Sequence, residues 1–161
     1  MRRADDPLLA YRFILEMAAL QVGGFTECTG LQIGTSVFEY AEGGRNTSKL
    51  KFPERGTVSN VTLKRGVLVG PASDTLFKWQ RDVSTGAFDA ADNPMRRVAD
   101  PDFDVANRMA IVLQDDRGIA VKRWRLVRAF PVKWSGPELK ADSGAIAIES
   151  LEIACEGLEA A

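Results

Sequence analysis

The chain of 161 residues contains no histidine. Histidine changes charge near neutral pH, serves most serine and cysteine nucleophile systems as the base, and ligates many metals. Most hydrolytic triads and most imidazole-based metal centres are therefore excluded. Cysteine is scarce as well, with Cys28 and Cys155 alone and far apart in sequence. Neither a disulfide scaffold nor a zinc knuckle can be built from them, so both are expected to pack as small apolar side chains. Charge of one sign is not in excess, because 21 Lys and Arg face 22 Asp and Glu. That balance argues against a specific nucleic-acid site or a dedicated anionic-membrane surface. No apolar run is long enough to span a bilayer, and no direct membrane anchor is expected. Arg2-Arg3 is followed by Asp5-Asp6-Pro7 where an export signal needs an apolar stretch, so no signal peptide is read.

Two familiar ligand motifs are also missing. Gly66-Val-Leu-Val-Gly70 is followed by Pro71-Ala72 where a phosphate-binding loop needs Lys and Ser or Thr. Asp100-Pro-Asp-Phe-Asp104 opens like a calcium loop, but Val105 stands for its glycine and Ile111 for its closing glutamate. No metal, cofactor or catalytic residue is assigned.

What remains is a globular composition, 45% hydrophobic and 27% charged, sufficient for one domain over 1–161 with a full core. Alternation of period two dominates the chain. Tyr11, Phe13, Leu15 and Met17 share one face of a first strand. Phe25–Thr29 and Ile33–Tyr40 follow as strands separated by Gly30, and Val61–Arg65 alternates until Gly66. Arg108–Leu113, a turn at Asp115-Asp-Arg-Gly118 and a strand over Val121–Phe130 make a hairpin. On that strand Trp124, Leu126 and Phe130 are expected on one face, Pro131 is expected to end it, and Val132–Ser135 continues briefly. One helix is expected over 73–83, with Ser73 as N-cap, Leu76, Phe77, Trp79 and Val83 as its apolar side, and Gly86 as its stop.

Two segments are long for ordinary loops. Residues 41–59 carry Glu42, Arg45, Leu50, Phe52, Pro53 and Arg55, and either fold back on their own domain or form an arm ordered against a neighbouring subunit. Residues 88–107 hold five Asp and read as an acidic surface insertion. The final stretch, Ala145–Glu159, alternates in β fashion with Ile146 and Ile148 on one face and Leu151 and Ile153 on the other. Glu149, Glu152 and Glu156 spread charge over both faces, which suits contact with another subunit or with a water-filled channel. Arg123 and Arg125 share a face and are candidates for the same role.

Seven segments, in order, carry a resemblance: Asp6-Pro7 with Tyr11-Arg-Phe13, Gly24-Phe-Thr-Glu-Cys-Thr-Gly-Leu31, Glu39-Tyr-Ala-Glu-Gly-Gly44, Asn60-Val-Thr-Leu-Lys-Arg-Gly66, Leu76-Phe-Lys-Trp79, Gly136-Pro-Glu-Leu139 and Ile148-Glu-Ser-Leu-Glu-Ile-Ala-Cys-Glu-Gly-Leu158. Together they resemble the tail-tube family of contractile phage tails and phage-tail-like extracellular contractile injection systems. The resemblance implies a small antiparallel β-barrel or sandwich with one flanking helix and an extended inter-ring loop. It implies a structural rather than enzymatic role, in hexameric rings that stack into a hollow conduit. The implied partners are further copies of the chain, a sheath protein, baseplate hub and tube-cap proteins, and cargo in the lumen. Assembly in the cytoplasm into a phage tail or extracellular particle is implied too. The segment 41–59 matches the loop that reaches toward the adjacent ring. Arg123, Arg125, Glu149 and Glu152 become candidate lumen or interface charges. Residues 88–107 are longer than the family's usual connection, and Cys155 stands where the family often has His. An initiating ring at the baseplate, or a soluble ring-forming effector, remains an alternative.

Overall fold

A computed structural model of the chain describes residues 12–17, 20–41, 43, 48–69, 74–86, 109–140 and 144–160. The expected insertion over 88–107, the calcium-like run at Asp100, Ser73, Glu42 and Arg45 lie outside the described residues. Among the described residues, eleven strands and one helix follow in the order β1 (Phe13–Met17), β2 (Leu20–Val22), β3 (Phe25–Thr29), β4 (Ile33–Tyr40), β5 (Leu50–Val58), β6 (Val61–Gly66), α1 (Thr75–Ser84), β7 (Met109–Gln114), β8 (Ala120–Val127), β9 (Phe130–Ser135), β10 (Ile148–Ala154) and β11 (Gly157–Ala160). They form a five-stranded sheet in the order β11-β8-β7-β1-β2, a four-stranded sheet in the order β3-β6-β10-β9, and a separate β4-β5 hairpin. Every pairing is antiparallel.

The two larger sheets share one core because their alternation points the same residue types inward. Leu15, Met17, Met109, Ile111 and Leu126 come from the five-stranded sheet, and Val61, Leu63, Leu151 and Ile153 from the four-stranded one. Each such side chain, fully buried, contributes roughly 1.5–3 kcal/mol. This is a β-sandwich, and no pairing among the described residues closes it into a barrel. The chain passes between sheets twice at one corner, from β8 to β9 and from β10 to β11. Arg128 turns there with φ 49, and the Glu156 N–H donates to the Val127 carbonyl at 2.9 Å. A Cβ on Gly157 would lie 3.3 Å from Val127 Cβ, so the corner is tight and glycine suits it.

The hairpin β7–β8 forms as the sequence indicates. Asp115 Oδ1 accepts the N–H groups of Arg117 and Ile119 at 2.9 and 2.8 Å, and Gly118 takes φ 81. The helix runs over Thr75–Ser84 with Asp74 at its N-cap position, one residue later than the sequence suggests, and Gly86 ends it with φ 68. Leu76 and Trp79 enter the core, whereas Phe77 points out and meets Trp134 edge-on at 5.0 Å.

Four expectations are corrected. Leu50–Val58, read as loop, is a nine-residue strand paired along β4, from Ile33 opposite Val58 to Tyr40 opposite Leu50. Its Pro53, Gly56 and mixed charges conceal a ladder that no other strand among the described residues joins. Pro131 does not end a strand but lies inside β9, at the edge of its sheet, where its missing N–H costs no central hydrogen bond. Phe130 consequently leaves the Trp124 and Leu126 face and is exposed. The final stretch, read as one strand, is two strands in different sheets. Glu149, Leu151 and Ile153 share the buried face of β10, with Ile148 on the other.

Candidate functional site

The β4–β5 hairpin is the most distinctive surface. It leaves the four-stranded sheet at Gly30, whose φ is 86 and whose added Cβ would stand 1.9 Å from the Asn60 carbonyl oxygen. Only a residue without a side chain passes that point. Ser59 N–H donates to the Gln32 carbonyl at 3.2 Å and closes the root. Beyond it the hairpin pairs with neither sheet, and Leu50 and Val58 are its only half-buried residues in the two strands. The register places Phe38 opposite Phe52 and Tyr40 opposite Leu50, so these four share one face. Phe38 remains 50% exposed and Phe52 49%. The other face carries Val37 opposite Pro53 and Glu39 opposite Lys51. Glu39 binds both Lys49 and Lys51, at 3.3 and 3.5 Å, and Arg55 is exposed on the same strand.

The candidate charges divide between the sheets. Arg123 and Arg125 do share a face, the outer one of the five-stranded sheet, in register with Val112 and Ala110. Arg123 meets Glu16 at 3.1 Å and Arg125 meets Glu159 at 3.5 Å, both within the chain. Glu152 lies on the outer face of the four-stranded sheet, half-buried, and accepts from Asn60 Nδ2 at 2.7 Å. That face also carries Lys64, paired with Glu27 at 2.8 Å.

Glu149 is a correction. Its side chain is 5% exposed and faces the core, so it is neither a channel-wall nor a surface interface charge in this fold. Directly across the ladder stands Arg65, 1% exposed, whose Nε donates to Glu149 Oε1 at 2.5 Å. Trp134 Nε1 donates to Glu149 Oε2 at 2.9 Å, and the Arg65 guanidinium lies 5.7 Å over the Phe25 ring. A buried carboxylate survives here because a cation and a second donor satisfy it. The signal was present in Val61-Thr-Leu-Lys-Arg65, where the alternation that buries Val61 and Leu63 also buries Arg65.

Both cysteines pack against the core as expected. Burial pushes the Cys28 thiol up to about 11 and raises Cys155 too, which leaves little thiolate at neutral pH. Among the described residues, no group of three or more His, Cys, Asp or Glu is placed to hold a metal ion, and no helix is long and apolar enough to cross a membrane. Sequence reasoning missed Phe38 and Tyr40 as partners of Phe52 and Leu50, because β4 was visible but its mate was not.

One structure from an extracellular contractile injection system, a PVC sheath-tube complex in the extended state, superposes with TM-score 0.70 at 23% identity, covering 98% of this chain and 93% of the other. The tube-terminating cap of the anti-feeding prophage gives TM-score 0.72 at 24% identity, covering 100% and 95%. A chain from the baseplate of that particle gives 0.66 at 23%, covering 98% and 97%. At such identities the likeness shows a common fold. No curated protein matches the chain. The family model described as T4-like virus tail tube protein gp19 matches residues 9–159, nearly the whole sequence. The chain belongs to the T4-like tail tube protein family.

Proposed function

We propose that this chain is a structural subunit of the inner tube of a contractile injection particle or phage tail, six copies closing into a ring and rings stacking into a hollow conduit. The observation that carries this reading is the β4–β5 hairpin, which holds Phe38, Tyr40 and Phe52 about half-exposed on a ribbon that neither sheet supports. An isolated two-stranded ribbon is marginal in water, and a contiguous aromatic face on it is costly to leave wet. A neighbouring copy that covers the face resolves both difficulties. The outer sheet faces suit a wall beside moving cargo, since their charges are largely paired within the chain, as in Glu27 with Lys64 and Arg123 with Glu16. The reading assigns no catalytic residue and no cofactor.

The similar structures come from a sheath-tube complex, a tube-terminating cap and a baseplate. Sheath, cap and baseplate components are accordingly the proposed partners, in a particle assembled in the cytoplasm. Electron microscopy of particles carrying a tagged subunit reads the chain's place along the conduit. The test of the role itself is light scattering with negative-stain microscopy of the concentrated protein. Rings and rods are expected, with Phe52→Asp retaining the wild-type melting temperature but losing the rods. A permanent monomer, or rods of normal length from Phe52→Asp, overturns the reading.

A further inference from the structure

The connection that leaves β9 ends in two exposed side chains on a firm root. Gly136 packs against the Trp134 indole, where an added Cβ would stand 2.8 Å from the ring, so a larger residue would push the loop away. The indole is itself held from two sides, by the Glu149 carboxylate that accepts its N–H at 2.9 Å and by Phe77 edge-on at 5.0 Å. Beyond this root come Glu138, with its side chain 82% exposed, and Leu139, 81% exposed. A leucine so open to water adds little burial to its own domain. Glu138 pairs with Lys140 at 3.3 Å. The other end of β9, six residues or roughly 20 Å away, meets the corner at Arg128. Among the described residues Arg128 is the one non-glycine residue with positive φ, at 49, in the left-handed region that favours glycine. Its exposed guanidinium pairs with Glu156 at 3.4 Å, and an ion pair in water adds little to stability. Phe130, two residues on, is also exposed.

We infer that the corner at Arg128 and Phe130 of one copy receives the Glu138-Leu139 loop of a second copy of the chain. The inference rests on the tube reading and adds to it a contact apart from the β4–β5 hairpin. Three observations select a second copy as the partner. The corner couples Arg128 with Glu156 and the loop couples Glu138 with Lys140, so the two can exchange partners across an interface, Arg128 to Glu138 and Glu156 to Lys140. Each surface also sets an exposed apolar side chain beside its charges, Phe130 in one and Leu139 in the other, so each covers what the other leaves wet. The two surfaces are unlike and stand at opposite ends of one strand, so every copy offers both halves. Such a head-to-tail contact repeats from copy to copy, closing into a ring or propagating as a filament. The backbone cost at Arg128 is then offset outside the domain, by the carboxylate that its side chain meets. An arginine beside an aromatic ring is also the composition that anchors interface centres.

The experiment reverses the charges. Arg128→Glu and Glu138→Lys, each with an unchanged melting temperature in dilute solution, are expected to raise the concentration needed for assembly by about tenfold or more, read by light scattering. An equimolar mixture of the two is expected to assemble at the wild-type concentration, because the reversed corner takes the reversed loop and the native corner the native loop. The double variant in one chain is expected to do likewise. Arg128→Gly is expected to melt no lower than wild type, since glycine suits φ 49, yet to need more protein to assemble. Assembly of either single reversal at the wild-type concentration, or a mixture that fails to recover, overturns the contact and leaves the tube reading standing. A wild-type chain that stays monomeric at every concentration overturns both.

Discussion

At the scale of single residues, the Arg65–Glu149 pair is the most consequential feature inside the sandwich. Removing one member leaves the other charged and unpartnered in the core, which costs about 3–5 kcal/mol for pairs of this kind. Glu149→Ala is therefore expected to lower the free energy of unfolding by that amount, measured by urea denaturation. Replacing both, Arg65→Met with Glu149→Leu, is expected to recover most of the loss, since the uncompensated charge is gone. Equal destabilisation in the single and double variants would contradict this account. The pair also shows what a sequence conceals at this scale. A glutamate alternating with Leu151 and Ile153 looks like a charge breaking an apolar face, because the arginine that neutralises it lies 84 residues away. Leu15, Met17, Leu63 and Leu126 were legible as core residues, since their burial follows from local alternation alone. Arg123 and Arg125 were legible as sharing a face, but their partners Glu16 and Glu159 belong to other strands and could not be read from spacing.

At the scale of elements, legibility follows the same division between local and distant determinants. Strands β3, β4 and β6, the β7–β8 hairpin and the helix are visible in the sequence because alternation, turn residues and caps act within a few positions. Strand β5 is not, since Leu50-Lys-Phe-Pro-Glu-Arg-Gly-Thr-Val58 has the composition of a loop and becomes a strand only through pairing with β4. The split of the final stretch into β10 and β11 is likewise set by which sheet each half joins. The hairpin β4–β5 pairs with neither sheet, so excision of 34–57 with a short Gly-Ser closure at the root is expected to leave the sandwich intact. The expected result is a thermal midpoint within a few degrees of wild type and complete loss of rods by microscopy. A large fall in the midpoint would show that the hairpin contributes to the core after all.

At the scale of the whole molecule, the β4–β5 hairpin pairs with neither larger sheet and leaves the sandwich at one end of the four-stranded sheet, which gives the subunit unlike ends. A copy lacking 34–57 lacks the ribbon that the proposed tube reading assigns to contact between copies. Mixed with wild type, it is expected to act as a chain stopper, with mean rod length in electron micrographs falling steadily as its fraction rises. Rods of unchanged length at high fractions would mean that the excised copy is excluded or that the contact lies elsewhere. One further consequence belongs to the core. In β6 and β10 the side chains repeat every two residues, so the smallest slip that keeps both apolar faces inward moves Arg65 from Glu149 to Ala147 or Leu151. Such a slip would strand two charges in a dry interior at several kcal/mol each. The ladder between these strands thus carries a catch against sliding. A subunit pulled along its strands would hold its register under load until it failed all at once, instead of creeping.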